Sequence, residues 1–168
     1  MKLFKNLLLA SVLLFGAMTV NAQSKVAHIN TDELVAAMPE TKQMQDELKK
    51  VMQTYDADFN EQKTALQTKL QKYEQEAATQ TDAENQKRMQ EVATMEQSIR
   101  QFQGTAQQEM QKKEFDLLKP ITEKAKAAII KVAKAQGFQY VLDSTQGQGV
   151  ILADGKDLMA DVKKELGF

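Results

Sequence analysis

The sequence has no cysteine and no tryptophan, one histidine, two prolines and seven glycines, and only 6 % of its residues are aromatic. Without cysteine there is no disulfide framework, no zinc–thiolate site and no cysteine nucleophile. One histidine cannot build a multi-histidine metal site. No charge sign dominates either: 22 Lys and Arg stand against 23 Asp and Glu, a formal charge of −1. A general nucleic-acid binder carries a clear basic excess, so that class is disfavoured. What remains in quantity is charge of both signs, at 27 % of residues, and 21 glutamines. That balance suits long solvated helices better than a compact core.

One long apolar run exists, at the N-terminus. Lys2 and Lys5 precede Leu7-Leu8-Leu9-Ala10-Ser11-Val12-Leu13-Leu14-Phe15, and Val20-Asn21-Ala22 follows with compact residues at the −3 and −1 positions of a cleavage site. This is the order of a secretory signal peptide over residues 1–22, cleaved after Ala22. The alternative is a membrane anchor, but the uncharged stretch Asn6 to Gln23 is 18 residues, at the short end for a span. No cysteine follows it, so a lipid-anchored form is not expected. The mature chain is expected to be exported and soluble, despite the disulfides that export would permit.

Three zones follow. In residues 25–38, Val26-Ala27-His28-Ile29-Asn30 reads as a strand. Thr31 is the expected cap of a short turn from Asp32 to Ala37, whose acids suit a helix start. Pro39 suits the first position of the next helix, where its missing N–H costs nothing. Residues 39–136 hold no Gly or Pro from Glu40 to Gln103 and are rich in helix formers.

Two apolar seams run through this middle zone. The first is Met44, Leu48, Val51, Tyr55, Phe59, a polar step at Gln62/Lys63, then Leu66, Leu70, Tyr73 and Ala77, at 3.67 residues per step. That is nearer an eleven-residue repeat than a heptad. The second runs Met89, Val92, Met95, Ile99, Phe102, Ala106, Met110, Lys113, Leu117, Ile121, Ala125, Ala128 and Val132, at 3.58 per step. Between them, Thr81 and Glu84 form a capping-box pattern that can restart a helix. Folding back near 79–83 pairs the seams in register: Tyr73 with Met89, Leu70 with Val92, Leu66 with Met95, Phe59 with Phe102, Tyr55 with Ala106, Leu48 near Lys113. An antiparallel helical hairpin is expected, with one continuous parallel coiled coil as the alternative. Arms of roughly 40 residues reach about 60 Å.

In residues 137–168, Gly137 is a helix stop. Phe138 to Asp143 reads as a strand, Ser144 to Gly149 as a loop, and Val150-Ile151-Leu152-Ala153 as a returning strand. Asp154-Gly155 marks a turn. Asp157 is expected to cap a last helix with Leu158, Val162 and Leu166 on one face. The fold class is therefore α+β, mostly α: a small β body from 25–38 and 137–168 carrying the hairpin of 39–136. A thin three-stranded sheet buries little, and joining sheets around an axis would remove exposed edges. An oligomer held by the bodies is expected.

Within this frame the sequence resembles the Skp/OmpH family of periplasmic chaperones. The resemblance is carried by KVAHINTDELVAAMPE, the long polar hairpin, the Pro120-Ile121 step and AIIKVAKAQGFQYVLDSTQGQGVILADGKDLMADVKKEL, within residues 25–168. It implies a jellyfish-like homotrimer whose bodies make the trimer contacts. It also implies helical tentacles enclosing a cavity for unfolded outer-membrane β-barrel proteins, without ATP or any other cofactor. The best-known members are strongly basic. This chain departs from that: residues 39–136 carry 16 basic and 16 acidic side chains, and the body 4 basic and 7 acidic. Weak salt dependence of client binding is the expectation.

His28 offers a pH switch or a plain strand position, and the strand position is favoured. Methionine suits promiscuous surfaces, but seam packing accounts for most of the nine. Met52 and Phe115, beside the seam near the body, are the candidate client contacts, against trimer or body packing. Ile130 is expected in the body core. Gly104 and Pro120 are the candidate hinge or kink: Pro120 removes one helical hydrogen bond, and the bend is either a hinge or fixed. Lys87-Arg88 near the tip reads as a contact to client or lipid, or as an ordinary solvated face, which is favoured. No metal site, catalytic constellation, nucleic-acid surface or more than peripheral membrane contact is expected. A holdase and an envelope adaptor with one folded partner are the two functional readings. An enzyme is a distant third, since no Ser-His-Asp pattern or phosphate loop is present.

Overall fold

The computed structural model describes residues 24–168; the expected signal peptide, residues 1–22, lies outside them. In chain order the elements are β1 (Val26–Ile29), α1 (Thr31–Ala37), α2 (Pro39–Glu76), α3 (Asp82–Ala135), β2 (Tyr140–Asp143), β3 (Lys156–Asp157) and α4 (Met159–Leu166). A single 3₁₀ turn, Ala77–Thr79, closes the tip between α2 and α3.

The helix starts are chemically specified. Pro39 occupies the first turn of α2. The Thr81 hydroxyl accepts from the Glu84 N–H at 3.3 Å and starts α3. The cap of α1 is Asn30, not Thr31: the Asn30 Oδ1 accepts from the Glu33 N–H at 3.0 Å. Thr31 is instead drawn across to Asp143 on β2. At the far end of α3, Gly137 takes φ 74°. Its N–H reaches Lys134 O at 3.1 Å and the Phe138 N–H reaches Ala133 O at 2.9 Å, the paired closure a left-handed residue permits.

Helices α2 and α3 contain 38 and 54 residues, lengths of about 57 and about 81 Å. They lie antiparallel, and the cross-arm partners step steadily outward: Glu40 to Lys124, Glu47 to Lys113, Lys69 to Glu91, Glu76 to Arg88. Tyr55 reaches both Phe102 and Glu109, one turn on either side of Ala106. From Met44 outward, the half-buried positions of α2 are Met44, Leu48, Val51, Tyr55, Phe59, Gln62, Leu66, Lys69, Tyr73 and Glu76. From Tyr55 the steps alternate four and three, so the spacing is heptad rather than eleven-residue. The difference arises near the tip. Lys69 and Glu76 turn inward there, to Glu91 and Arg88, and displace Leu70 and Ala77 from the seam. Met89 likewise leaves it and is 72 % exposed.

The body differs from expectation in one strand. The sheet order is β2-β1-β3 and both pairings are parallel: Val26 to Ile29 against Tyr140 to Asp143, and Ala27-His28 against Lys156-Asp157. Val150–Ala153 is not a strand, and Ile151 and Leu152 stand in solvent. The chain leaves β2, passes over the end of β1 and pairs on its far side, so no hairpin forms. The core joins the inward face of β1 (Ala27, Ile29) to Leu34, Met38, Ile121, Ala125, Val132, Leu158 and Val162. Ile130 lies outside it, 44 % exposed, and Ile129 packs there instead. The cap position of α4 is Leu158 rather than Asp157: the Leu158 carbonyl accepts the first helical bond, from the Val162 N–H at 2.9 Å, while the Asp157 carboxylate, one residue earlier, accepts from the Met159 N–H at 2.8 Å.

Candidate functional surfaces

The described residues hold no group of three or more His, Cys, Asp or Glu placed to bind a metal ion. None of their helices is long and apolar enough to cross a membrane. The notable surfaces are apolar. Where the arms meet the body, a groove of about 680 Å³ opens between α1, α3 and β2. Val35, Leu118, Ile129, Ile130, Phe138 and Val141 supply its apolar lining. Sequence reasoning missed it, because its residues come from three separated segments. The only signal was Ile130 lying off the α3 seam. Val26, Tyr140 and Leu142 form a second exposed apolar set, on the outward side of β1 and β2 by the alternation of a strand.

Met52 and Phe115 are 51 % and 66 % exposed. Both project from the arms near the body, and neither lines the groove. Gly104 lies within α3, and a Cβ there would meet nothing within 4 Å. Pro120 also lies inside α3, which continues through it. It lines a smaller cleft of about 290 Å³ with Met44, Glu47 and Leu117. Cross-arm pairs Glu47–Lys113 and Glu40–Lys124 lie to either side of it along the chain.

At the tip, Arg88 is not a free cation. Its side chain is 13 % exposed and bonds Glu76 at 2.8 Å, with Glu84 at 3.5 Å. The guanidinium lies 4.7 Å from the centre of the Tyr73 ring. Glu91 receives both Lys69 and the Tyr73 hydroxyl, and those hydrogen bonds hold its carboxyl below the usual range. Arg88 therefore ties the tip together.

A polar junction fixes β2 to α1. Asp143 accepts from the Thr31 hydroxyl at 2.5 Å, from the Thr31 N–H at 3.3 Å and from the Thr145 N–H at 3.0 Å. Burial pushes the Asp143 carboxyl up, but hydrogen bonds from Thr31 and Thr145 outweigh it and lower the pKa from 3.8 to about 2. His28 is a structural strand residue: its Nε2 meets Gly155 O at 3.2 Å, bracing the loop before β3.

The OmpH-like outer membrane protein family matches this sequence over residues 25–166. The chain belongs to that family. Among solved structures, the fold is similar to an OmpH-like protein from Caulobacter crescentus CB15, named for an outer membrane chaperone. The two share a TM-score of 0.77 and 19 % identity, over 86 % of this chain and 85 % of the other. At that identity the likeness is one of fold. No curated protein matches the sequence. The OmpH-like match runs from β1 through both arms to the end of α4, so family and architecture coincide along nearly the whole chain.

Proposed function

We propose that this OmpH-like chain is an ATP-independent holdase chaperone of the periplasm, exported by residues 1–22 and cleaved after Ala22. It binds unfolded outer-membrane β-barrel proteins between its helical arms and keeps them from aggregating. The observation that carries this reading is the OmpH-like match over 25–166 together with two arms of 38 and 54 residues on a small body. Arms one helix pair thick have almost no interior to host chemistry, so the chain acts by binding, without cofactor or turnover. They do have reach and a large surface. The bodies join as a homotrimer, and the arms around the axis form the cavity. Met52 and Phe115 are the proposed client contacts, and Gly104 and Pro120 the positions where an arm bends.

Support for association of the bodies comes from the sheet. Parallel sheets are found with both faces covered, yet here Val26, Tyr140 and Leu142 remain exposed. The experiment is light scattering on residues 23–168, alone and with a urea-unfolded outer-membrane β-barrel protein diluted into it. A trimer that holds the client in a soluble complex of defined mass is expected. A trimer that leaves the client to aggregate would make the chain an adaptor with one folded partner. A monomer would remove the cavity and the mechanism with it.

A further inference from the structure

Near the tip the hairpin seam is inverted. Lys69, Glu76 and Arg88 turn inward, and in each case the next residue along the chain is apolar: Leu70, Ala77 and Met89. Leu70 is 42 % exposed and Met89 72 %. Charge drawn inside while a large apolar neighbour stays in water reverses the usual order of burial. The displaced side chains share one place. Leu70 and Met89, with Val92 and Ala93, floor a shallow cleft of about 730 Å³ between α2 and α3. We propose that this tip cleft is a docking site for a folded partner protein, which presents to it a large apolar side chain flanked by lysine or arginine. The site requires neither the holding of unfolded clients nor the joining of bodies.

The rim sets the sign of the partner. Glu74 lines the cleft from α2 and Glu96 from α3. Among the described residues Glu74 has no ion-pair partner. Glu96 meets Arg100 at 3.8 Å on the exposed helix face, a pair of the weak kind. Arg88, the cation that lines the cleft, is already bonded to Glu76 at 2.8 Å. Two carboxylates beside an apolar floor attract a cationic segment and repel the phosphates of an anionic lipid surface.

The cleft is also framed from beneath. Tyr73 and Lys69 both bond Glu91, and the Arg88 guanidinium lies 4.7 Å from the centre of the Tyr73 ring. The Asn85 side-chain amide donates to Ala77 O at 2.9 Å. These contacts join the last turns of α2 to the first turns of α3. A fixed cleft with placed charges suits one matching segment, because little has to be ordered on binding. Unfolded clients vary in sequence, and promiscuous surfaces use side chains that can repack. A folded partner therefore fits the cleft better than a client does. At about 50 Å from the body along α2, the tip can meet that partner while the body end of the arms is occupied.

Methyl NMR on residues 23–168 labelled at methionine tests the cleft. The probe is a pentapeptide of alternating lysine and leucine, blocked at both ends. A saturable shift of the Met89 methyl is expected, with the glutamate analogue of the peptide binding at least tenfold more weakly. Glu74→Gln with Glu96→Gln should weaken the lysine peptide about tenfold and leave the far-UV circular dichroism unchanged. A Met89 methyl moved by neither peptide, or equally by both, overturns the proposal, as does an unchanged affinity in the double variant. Leu70→Ser with Met89→Ser should leave the retention of an unfolded outer-membrane β-barrel protein within about twofold. A tenfold loss would make the cleft a client contact, overturning the proposal while the holdase reading stands. If the unmodified chain holds no client, that reading fails and the peptides still decide the cleft. Phosphatidylglycerol vesicles that broaden the Met89 methyl and not that of Met52 would assign the tip to lipid, and the proposal would fall.

Discussion

At the scale of single residues, two polar clusters hold the ends of this elongated molecule. In the body, the folded Asp143 carboxyl has a pKa of about 2 against an ordinary 3.8. A depressed carboxylate pKa contributes stability that is complete above the ordinary value and is lost as pH falls through the folded one. The window is therefore about pH 4 down to about pH 2. Partial exposure to solvent discounts the contribution to about 1 kcal/mol. Urea titrations at several pH values should show Asp143→Asn less stable at neutral pH and flatter across that window. Equal slopes for the two proteins would mean that the junction carries no linked proton. At the tip, Arg88→Met removes the hydrogen bond to Glu76, the ion pair with Glu84 and the contact over Tyr73. About 1–2 kcal/mol of local stability should go with them. Hydrogen exchange should then speed up in residues 73–92 while the body keeps its protection. Neither cluster was fully legible beforehand. Thr31 reads as a cap, and only the fold brings Asp143 to claim it. Lys87-Arg88 reads as an exposed basic pair, and only the back-folded α2 supplies Glu76 and Tyr73 to draw Arg88 inward.

At the scale of elements, the helices were the readable part. A helix of 54 residues repeats its pattern many times, so one misplaced residue such as Met89 does not hide the hairpin or its register. Strands of four and two residues carry no such redundancy. Lys156-Asp157 has no apolar alternation to announce β3, while Val150–Ala153 has the composition of a strand and is not one in a single chain. The groove, assembled from three segments, has no local signature at all. The arms also yield a prediction of sign. Gly104 sits in a helix with open space where a Cβ would go, so Gly104→Ala gains helix propensity with no clash. Stability should rise by about 0.5–1 kcal/mol, read as a higher urea midpoint. Pro120→Ala restores an N–H able to bond the Asp116 carbonyl. If the arm bends there, solution scattering should show a narrower spread of shapes for this variant; an unchanged profile would assign Pro120 no hinge.

At the scale of the whole molecule, the question is what force retains a client. The arms carry 16 charges of each sign, and many are spent on one another. Glu40–Lys124, Glu47–Lys113, Lys69–Glu91 and Glu76–Arg88 cross between the arms, so a quarter of the charge fastens the hairpin rather than projecting a field. A basic cavity would attract an acidic client from a distance, and added salt would weaken it steeply. Neutral arms have no such reach. On the proposed holdase reading, they would hold clients through short apolar contacts of the kind Met52 and Phe115 offer, supported by enclosure between arms. Between about 0.1 and about 1 M salt the screening length falls from about 10 to about 3 Å. Direct apolar contacts survive that change. The affinity for an unfolded outer-membrane β-barrel protein, followed by fluorescence titration, should therefore shift less than about threefold across the range. Met52→Ser with Phe115→Ser should weaken it about tenfold at either salt concentration. A steep fall with salt in the unmodified protein, with no effect of those two substitutions, would place retention in local charge clusters and remove the apolar mechanism.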